Sequence, residues 1–237
     1  MPVTTPHALP ALAEMRPRTV TDQIFDLLYQ RVIDLSLPPG TRLSEAEVAA
    51  QTGVSRQPVR DAFFRLSQLG FILIRPQRAT TVTPISEQAV TQAYFIRAAL
   101  EESVMREAAR ILTPEDHDRL ETLIEEQRVT LEAGDHQQFH ALDDRFHRDI
   151  CTMAGLEFVW TLVKENKGHM DRARFLSLSF GAPRVIEEHR QILDALRRRD
   201  AEAAAAALRL HLSQIQSIID RLKKDRPEMF ETAADIP

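Results

Sequence analysis

Ile24, Phe25, Leu28, Val32 and Leu35 recur at the three- and four-residue spacing of one helix face, which predicts a first helix over about 19–36. Pro38-Pro39-Gly40 stops it. A short helix follows from a Ser44/Glu47 capping box to Gly53. The next runs from Ser55 to Gly70 with Val59, Phe63, Leu66 and Leu69 as its apolar stripe and Arg56, Arg60 and Arg65 outward. Pro58 falls in the first turn, where a missing amide costs little. The period then shortens. Residues 71–74 and 80–83 read as short strands, with Arg75-Pro76-Gln77-Arg78-Ala79 between them as a basic turn. Beyond Pro84-Ile85-Ser86 only helical periods remain, at about 86–111, 114–133, 136–154, 157–180, 184–199 and 201–224. The pattern predicts a mainly α protein. It divides into a flexible, proline-rich arm (1–18), a winged helix-turn-helix domain (19–84), an all-α helical bundle (85–226) and a polar tail (227–237).

Two short helices across a glycine turn, the second opening with arginines, suit insertion into a DNA major groove. The spacing alone also fits a helical hairpin with a solvated basic face. Under the DNA reading, Arg56 and Arg60 reach base edges, because arginine can bind guanine through both N7 and O6. Ser55 and Gln57 hold phosphates, and Arg78 at the wing tip lies along a groove or backbone. Arg42, just ahead of the helix-turn-helix, joins the DNA-facing set.

Charge sharpens the division. The net charge of −5 resolves into +2 over residues 1–84 (9 Lys+Arg, 7 Asp+Glu) and −7 over 85–237 (21 and 28). A basic end on an acidic body presents one face to phosphates. The single cysteine, Cys151, excludes an internal disulfide framework. No apolar run approaches membrane-spanning length and the N-terminus lacks signal-peptide features, so the expectation is a soluble, cytoplasmic protein without membrane contact.

Within the helical region, Asp143 and His147 lie four residues apart inside the Phe139, Leu142, Phe146, Ile150 stripe. His189 falls among Val185, Ile186, Ile192 and Leu193, and His211 among Leu208, Ile215 and Ile218. A core histidine is commonly a hydrogen-bonded packing residue. A lone core aspartate is expensive to bury, and with three histidines it makes a ligand set for a divalent ion. Arg97 has two readings: an i,i+4 ion pair with Glu101, or a cavity arginine that forks an effector carboxylate. Arg172 and Arg174 share that choice. Cys151, one turn past His147, reads as a small buried hydrophobe.

Two segments, L-P-P-G-T-R-L-S-E at 37–45 and G-V-S-R-x-P-V-R at 53–60, resemble the winged-helix domain of the GntR family of bacterial transcription regulators. Three more resemble the FCD ligand-sensing domain of its FadR-like subgroup: D-x-x-F-H at 143–147, E-H-R-x-I at 188–192 and H-L at 211–212. The resemblance implies a homodimer on a pseudo-palindromic double-stranded operator. It also implies a metal held by Asp143, His147, His189 and His211, with Zn²⁺ first and Ni²⁺ or Mn²⁺ as alternatives. Two departures stand out, Ala79 and Leu156, where relatives carry glycine and asparagine.

The leading expectation is a regulator, most simply a repressor, whose helical domain senses a small carboxylate metabolite through the metal. Two rivals remain: a metal-dependent hydrolase with an accessory DNA-binding domain, and a structural zinc domain that only holds a dimer. No H-E-x-x-H or similar catalytic signature supports the first.

Overall fold

The computed structural model describes residues 18–75 and 77–232, with only the backbone described over 179–183. All but the last residue of the expected arm, together with Pro76 and residues 233–237, lie outside the described residues. The order is α1 (Val20–Ile33), β1 (Arg42–Leu43), α2 (Glu45–Thr52), α3 (Arg56–Gln68), β2 (Ile72–Leu73) and β3 (Thr80–Val82). Then come α4 (Glu87–Ile111), α5 (Pro114–Glu132), α6 (His136–Met153), α7 (Glu157–Asn166), α8 (Gly168–Arg197) and α9 (Ala201–Asp225), closed by a 3-10 turn at Pro227–Met229.

The two ends fold around separate cores. In the first, Ile24, Leu28 and Val32 of α1 meet Val59, Phe63 and Leu66 of α3. A reciprocal Thr19/Asp22 box starts α1, and Gly53 turns α2 into α3 at φ 70°, a left-handed conformation in which a side chain is strained. Ser44 accepts from the Glu47 amide at 3.4 Å, but the return bond of a full capping box is not formed. Ser55 takes the N-cap position of α3 without a side-chain cap. Leu69 leaves the apolar stripe: it is the C-cap of α3 and 41% exposed.

Both wing strands appear, shortened, in an antiparallel sheet of order β1-β3-β2. Its third member, β1, has no periodic signal because two residues are too few to alternate. Arg42 sits opposite Thr81, and Ile72 opposite Val82. At the wing tip Gln77 takes φ 58°, so the left-handed position is filled by a non-glycine residue.

The second core is the bundle, in which α9 packs along both α4 and α8. Pro114 at the first turn and a Thr113/Asp116 box start α5. The expected break near Gly181 does not occur. Helix α8 continues through it, since one glycine costs only about 1 kcal/mol and buried residues flank it on both sides. The chain instead breaks at Lys167, between α7 and α8. The tail also differs from expectation up to residue 232. Phe230 is buried and bridges in parallel to Ile85, whose amide donates to Met229 O at 2.8 Å while the Glu231 amide donates back to Ile85 O at 3.1 Å. No helix among the described residues is long and apolar enough to cross a membrane.

Candidate metal centre and DNA-facing helix

Helix α6 is the foundation of the buried site. Phe139, Leu142, Phe146 and Ile150 anchor it in the core, and the same face carries Asp143 and His147 one turn apart. Across from them α8 presents His189 and α9 presents His211. All four residues are buried, and one ligand atom from each lies within 4.8 Å of the others. The apolar periodicity of three helices therefore converges the four sequence-predicted ligands.

Each histidine is oriented from behind. His189 Nδ1 lies 2.8 Å from Gln127 Oε1, and the Gln127 amide nitrogen donates to Leu142 O at 3.0 Å. The second bond sets the amide so that His189 must donate from Nδ1. His211 Nδ1 lies 2.9 Å from Glu188 Oε2. His147 Nδ1 lies 2.6 Å from Glu101 Oε2, an ion-pair contact whose angle falls short of a hydrogen bond. Oxygen partners on Nδ1 leave Nε2 facing inward, the arrangement that orients metal-ligating histidines.

The inward atoms are left over. Asp143 Oδ1, His147 Nε2 and His189 Nε2 are buried without a hydrogen-bond partner, and His189 Nε2 sits 3.6 Å from Asp143 Oδ1. Burial would raise the Asp143 carboxyl, yet the Arg174 guanidinium beside it holds it well below the usual range. Burial pushes His189 and His211 down. An ionised carboxylate and neutral imidazoles are the forms a cation requires. Orphaned carboxylate and imidazole atoms gathered at one point fit a divalent metal. When bound, the ion would supply Lewis-acid coordination to a ligand oxygen.

The three arginines separate. Arg97 is fully buried and donates from Nε to Glu101 Oε1 at 2.7 Å, so the ion pair exists; its Nη1 has no partner. Arg174 pairs with Asp143 Oδ2 and stands 3.6 Å from Asp171. Arg172 is a correction to the expected effector contact: its guanidinium donates to Thr83 O at 2.6 Å and Pro84 O at 3.3 Å, because its position on α8 turns it toward the domain boundary. A cavity of about 300 Å³ reaches the cluster at His211 and Arg174, with Ser177, Arg184, Glu188 and Gln214 among its lining. Cys151 is a buried packing residue whose thiol is pushed up to about 12 by burial.

Glu188 opens the E-H-R-x-I motif without a role assigned to it, and Gln127 is missed by the sequence reading although it falls on the Leu120, Leu123, Ile124, Leu131 face of α5 at helical spacing. A second acidic group, His140, Asp144 and Asp171, also has the spacing to hold a cation. Lys167 Nζ already stands among its carboxylates, 2.9 Å from Asp144 and in contact with Asp171.

On the other domain, Arg42, Ser55, Arg56, Gln57, Arg60 and Arg78 are all exposed. Arg56 and Gln57 open α3, and Arg60 follows one turn later. Arg60 is held by Glu45 of α2 at 3.1 Å, and Gln57 donates to Asp61 at 2.8 Å. Arg65 does not point freely outward: it lies over the Phe25 ring at 4.0 Å and pairs with Asp22 at 2.8 Å.

Comparison with known proteins accounts for both halves. Residues 20–82 match the family described as bacterial regulatory proteins, gntR family, and residues 92–214 match the FCD domain. The HTH-type transcriptional repressor RspR of Escherichia coli (strain K12) is 35% identical over 213 residues, covering 89% of this chain and 93% of that protein. A protein of Paenarthrobacter nicotinovorans, described as a probable D-xylose utilization operon transcriptional repressor, is 31% identical over 201 residues, 82% of this chain and 86% of its own. Among solved structures, E. coli McbR/YncC superposes with a TM-score of 0.73 at 24% identity, covering 86% of this chain and 99% of that one, which establishes the fold.

Proposed function

Because this chain belongs to the GntR family and joins its DNA-binding domain to an FCD domain, we propose that it is a transcriptional repressor switched by a small organic acid bound on a metal. Membership makes it a regulator rather than an enzyme, which sets the hydrolase reading aside. The observation that carries the proposal is the convergence of Asp143, His147, His189 and His211 with unpartnered atoms facing one another.

The ion is Zn²⁺ in this reading, with Ni²⁺ and Mn²⁺ as alternatives. Four protein ligands leave one or two positions on a five- or six-coordinate ion, and hard carboxylate oxygens suit them. Arg174 sits on Asp143 and lines the cavity, so it is placed to clamp the acid's second oxygen. Arg97, with a free Nη1, backs it. The cavity of about 300 Å³ supports sensing over a closed structural zinc site, which would leave no room for a ligand. A sugar acid is of suitable size and chemistry.

On DNA, one helix-turn-helix reads only a few base pairs, so specificity calls for a homodimer on a pseudo-palindrome. Arg56 and Arg60 read bases; Arg42, Ser55, Gln57 and Arg78 hold the backbone.

The test has two parts. Selection from random duplex DNA should enrich a two-fold site; enrichment of a single half-site would contradict the dimer. A panel of small acids should raise the melting temperature of Zn²⁺-loaded protein and do nothing after chelation. Equal stabilisation with and without metal would remove the metal from the effector site.

A further inference from the structure

The first two turns of α8 hold the DNA-binding domain against the bundle. An ideal Cβ on Gly168 would lie 2.5 Å from Tyr29 Oη and 2.7 Å from the Phe71 ring, so the two domains meet there at backbone contact. The next residue, His169, stacks on Phe71 with centroids 4.4 Å apart and reaches Leu69 O through Nε2 at 2.9 Å. One turn on, Arg172 grips the carbonyls of Thr83 and Pro84. With the Met229 and Glu231 bonds to Ile85 on its other side, the connection between the domains is fastened rather than free.

The same stretch of α8 is tied to the metal ligands. Arg174 pairs with Asp143 and reaches toward Asp171 at 3.6 Å. Asp171 pairs with Lys167, and Lys167 with Asp144 at 2.9 Å. Lys167 is buried and is the residue at which the chain turns from α7 into α8, directly before Gly168. Four ionic side chains thus alternate in sign from a ligand of the cluster to the contact with Tyr29.

We propose that the Asp143–Arg174–Asp171–Lys167 track transmits the charge state of the cluster to the seat of the winged domain on α8. The proposal rests on the metal-site reading only for what changes the charge at Asp143. A cation that takes up the Asp143 charge weakens its hold on Arg174. Arg174 is then drawn to Asp171, where it competes with Lys167 for the same carboxylate. Lys167 fixes the first turn of α8, so the shift arrives at Gly168, His169 and Arg172. An effector that favours one of these arrangements shifts the domain equilibrium by its difference in affinity for the two.

Hydrogen exchange on the full chain tests this without any metal. Asp143→Asn removes the charge that holds Arg174 and should raise exchange about tenfold at the amides of 69–71 and Thr83, in the other domain. Arg174→Gln should do the same and serves if the first variant fails to fold. Unchanged exchange at those amides in a folded variant would overturn the track. A second arm adds Zn²⁺. Wild type should bind it and show the exchange change, with a shift in emission of Trp160, the only tryptophan, whose ring lies 5.9 Å from Lys167 Nζ. Asp171→Asn should bind Zn²⁺ as tightly and show neither; a wild-type response from that variant would also overturn the proposal. Wild type that binds no zinc would sink the metal reading, while Asp143→Asn still decides the track.

Discussion

The two domains spend the same residue types in opposite places. Among the described residues up to 84, no charged side chain is buried, and Arg56 and Arg60 of α3 stand in solvent, where their partners cost little to exchange. Beyond residue 84, Arg97, Glu101, Asp143, His147, Lys167, Asp171, Arg172, Glu188, His189 and His211 are all buried. Solvated charges are weakly held and available to phosphates, as an interface with DNA needs. Interior charges are costly unless every one is paired, so a buried network persists only when its members close on one another. Here Asp143 Oδ1, His147 Nε2 and His189 Nε2 stand unpartnered within reach of one another and leave a gap between them. That gap is where the comparison assigns the helical domain its ligand.

The contrast breaks most readily at Glu101. Its carboxylate holds both Arg97 and His147, so Glu101→Ala should cost about 3–5 kcal/mol by leaving a buried guanidinium unpaired. Urea denaturation would measure it. A loss below about 1 kcal/mol, the size of a surface pair, would show that burial does not set the value of these charges. Gln127→Ala tests the support behind the ligands: metal affinity by calorimetry should fall about 10–100-fold, and an unchanged affinity would deny the amide any role in orienting His189.

On the exposed side the effects are smaller and fall on recognition. Arg56→Ala and Arg60→Ala should each remove about 1–3 kcal/mol of discrimination between operator and mismatched duplex, with unfolding unaltered. Undiminished discrimination in both would mean that α3 is not the reading helix. Ser55→Ala should be the mildest. Without a side-chain cap to lose, its stability should stay within about 0.5 kcal/mol of wild type, while affinity falls alike for operator and mismatched duplex as the phosphate contact is lost. A larger stability loss would mean the hydroxyl caps α3 in solution.

The sequence made some of these differences visible and hid others. Asp143, His147, His189 and His211 could be found because each breaks an apolar stripe at a position its own helix assigns to the core. The helix-turn-helix was equally open, since Gly53 and the Pro58 first turn mark local conformations. Gly168 and His169 carry no sequence signal, and Arg172 suggests a different role, because their meaning is tertiary: nothing within α8 says that Leu69, Phe71 and Thr83 lie across from it. Lys167 ends α7 for the same reason, held by carboxylates 23 residues back and 4 residues ahead rather than by a helix-stop residue. The two-residue β1 and the Ile85–Phe230 bridge are likewise set by their partners. The spacing of Arg97 fits two roles, and only the fold shows the Glu101 pair at 2.7 Å.

The central claim is that the gap in the interior network is a metal site. Protein purified without chelator and then titrated with Zn²⁺, Ni²⁺ and Mn²⁺ can be assayed by elemental analysis beside His189→Ala. The account predicts about one ion per chain in wild type and none in a folded His189→Ala, since losing one of four ligands opens the site. Wild type that neither carries nor takes up a stoichiometric metal, or a His189→Ala variant that loads as fully, would contradict it.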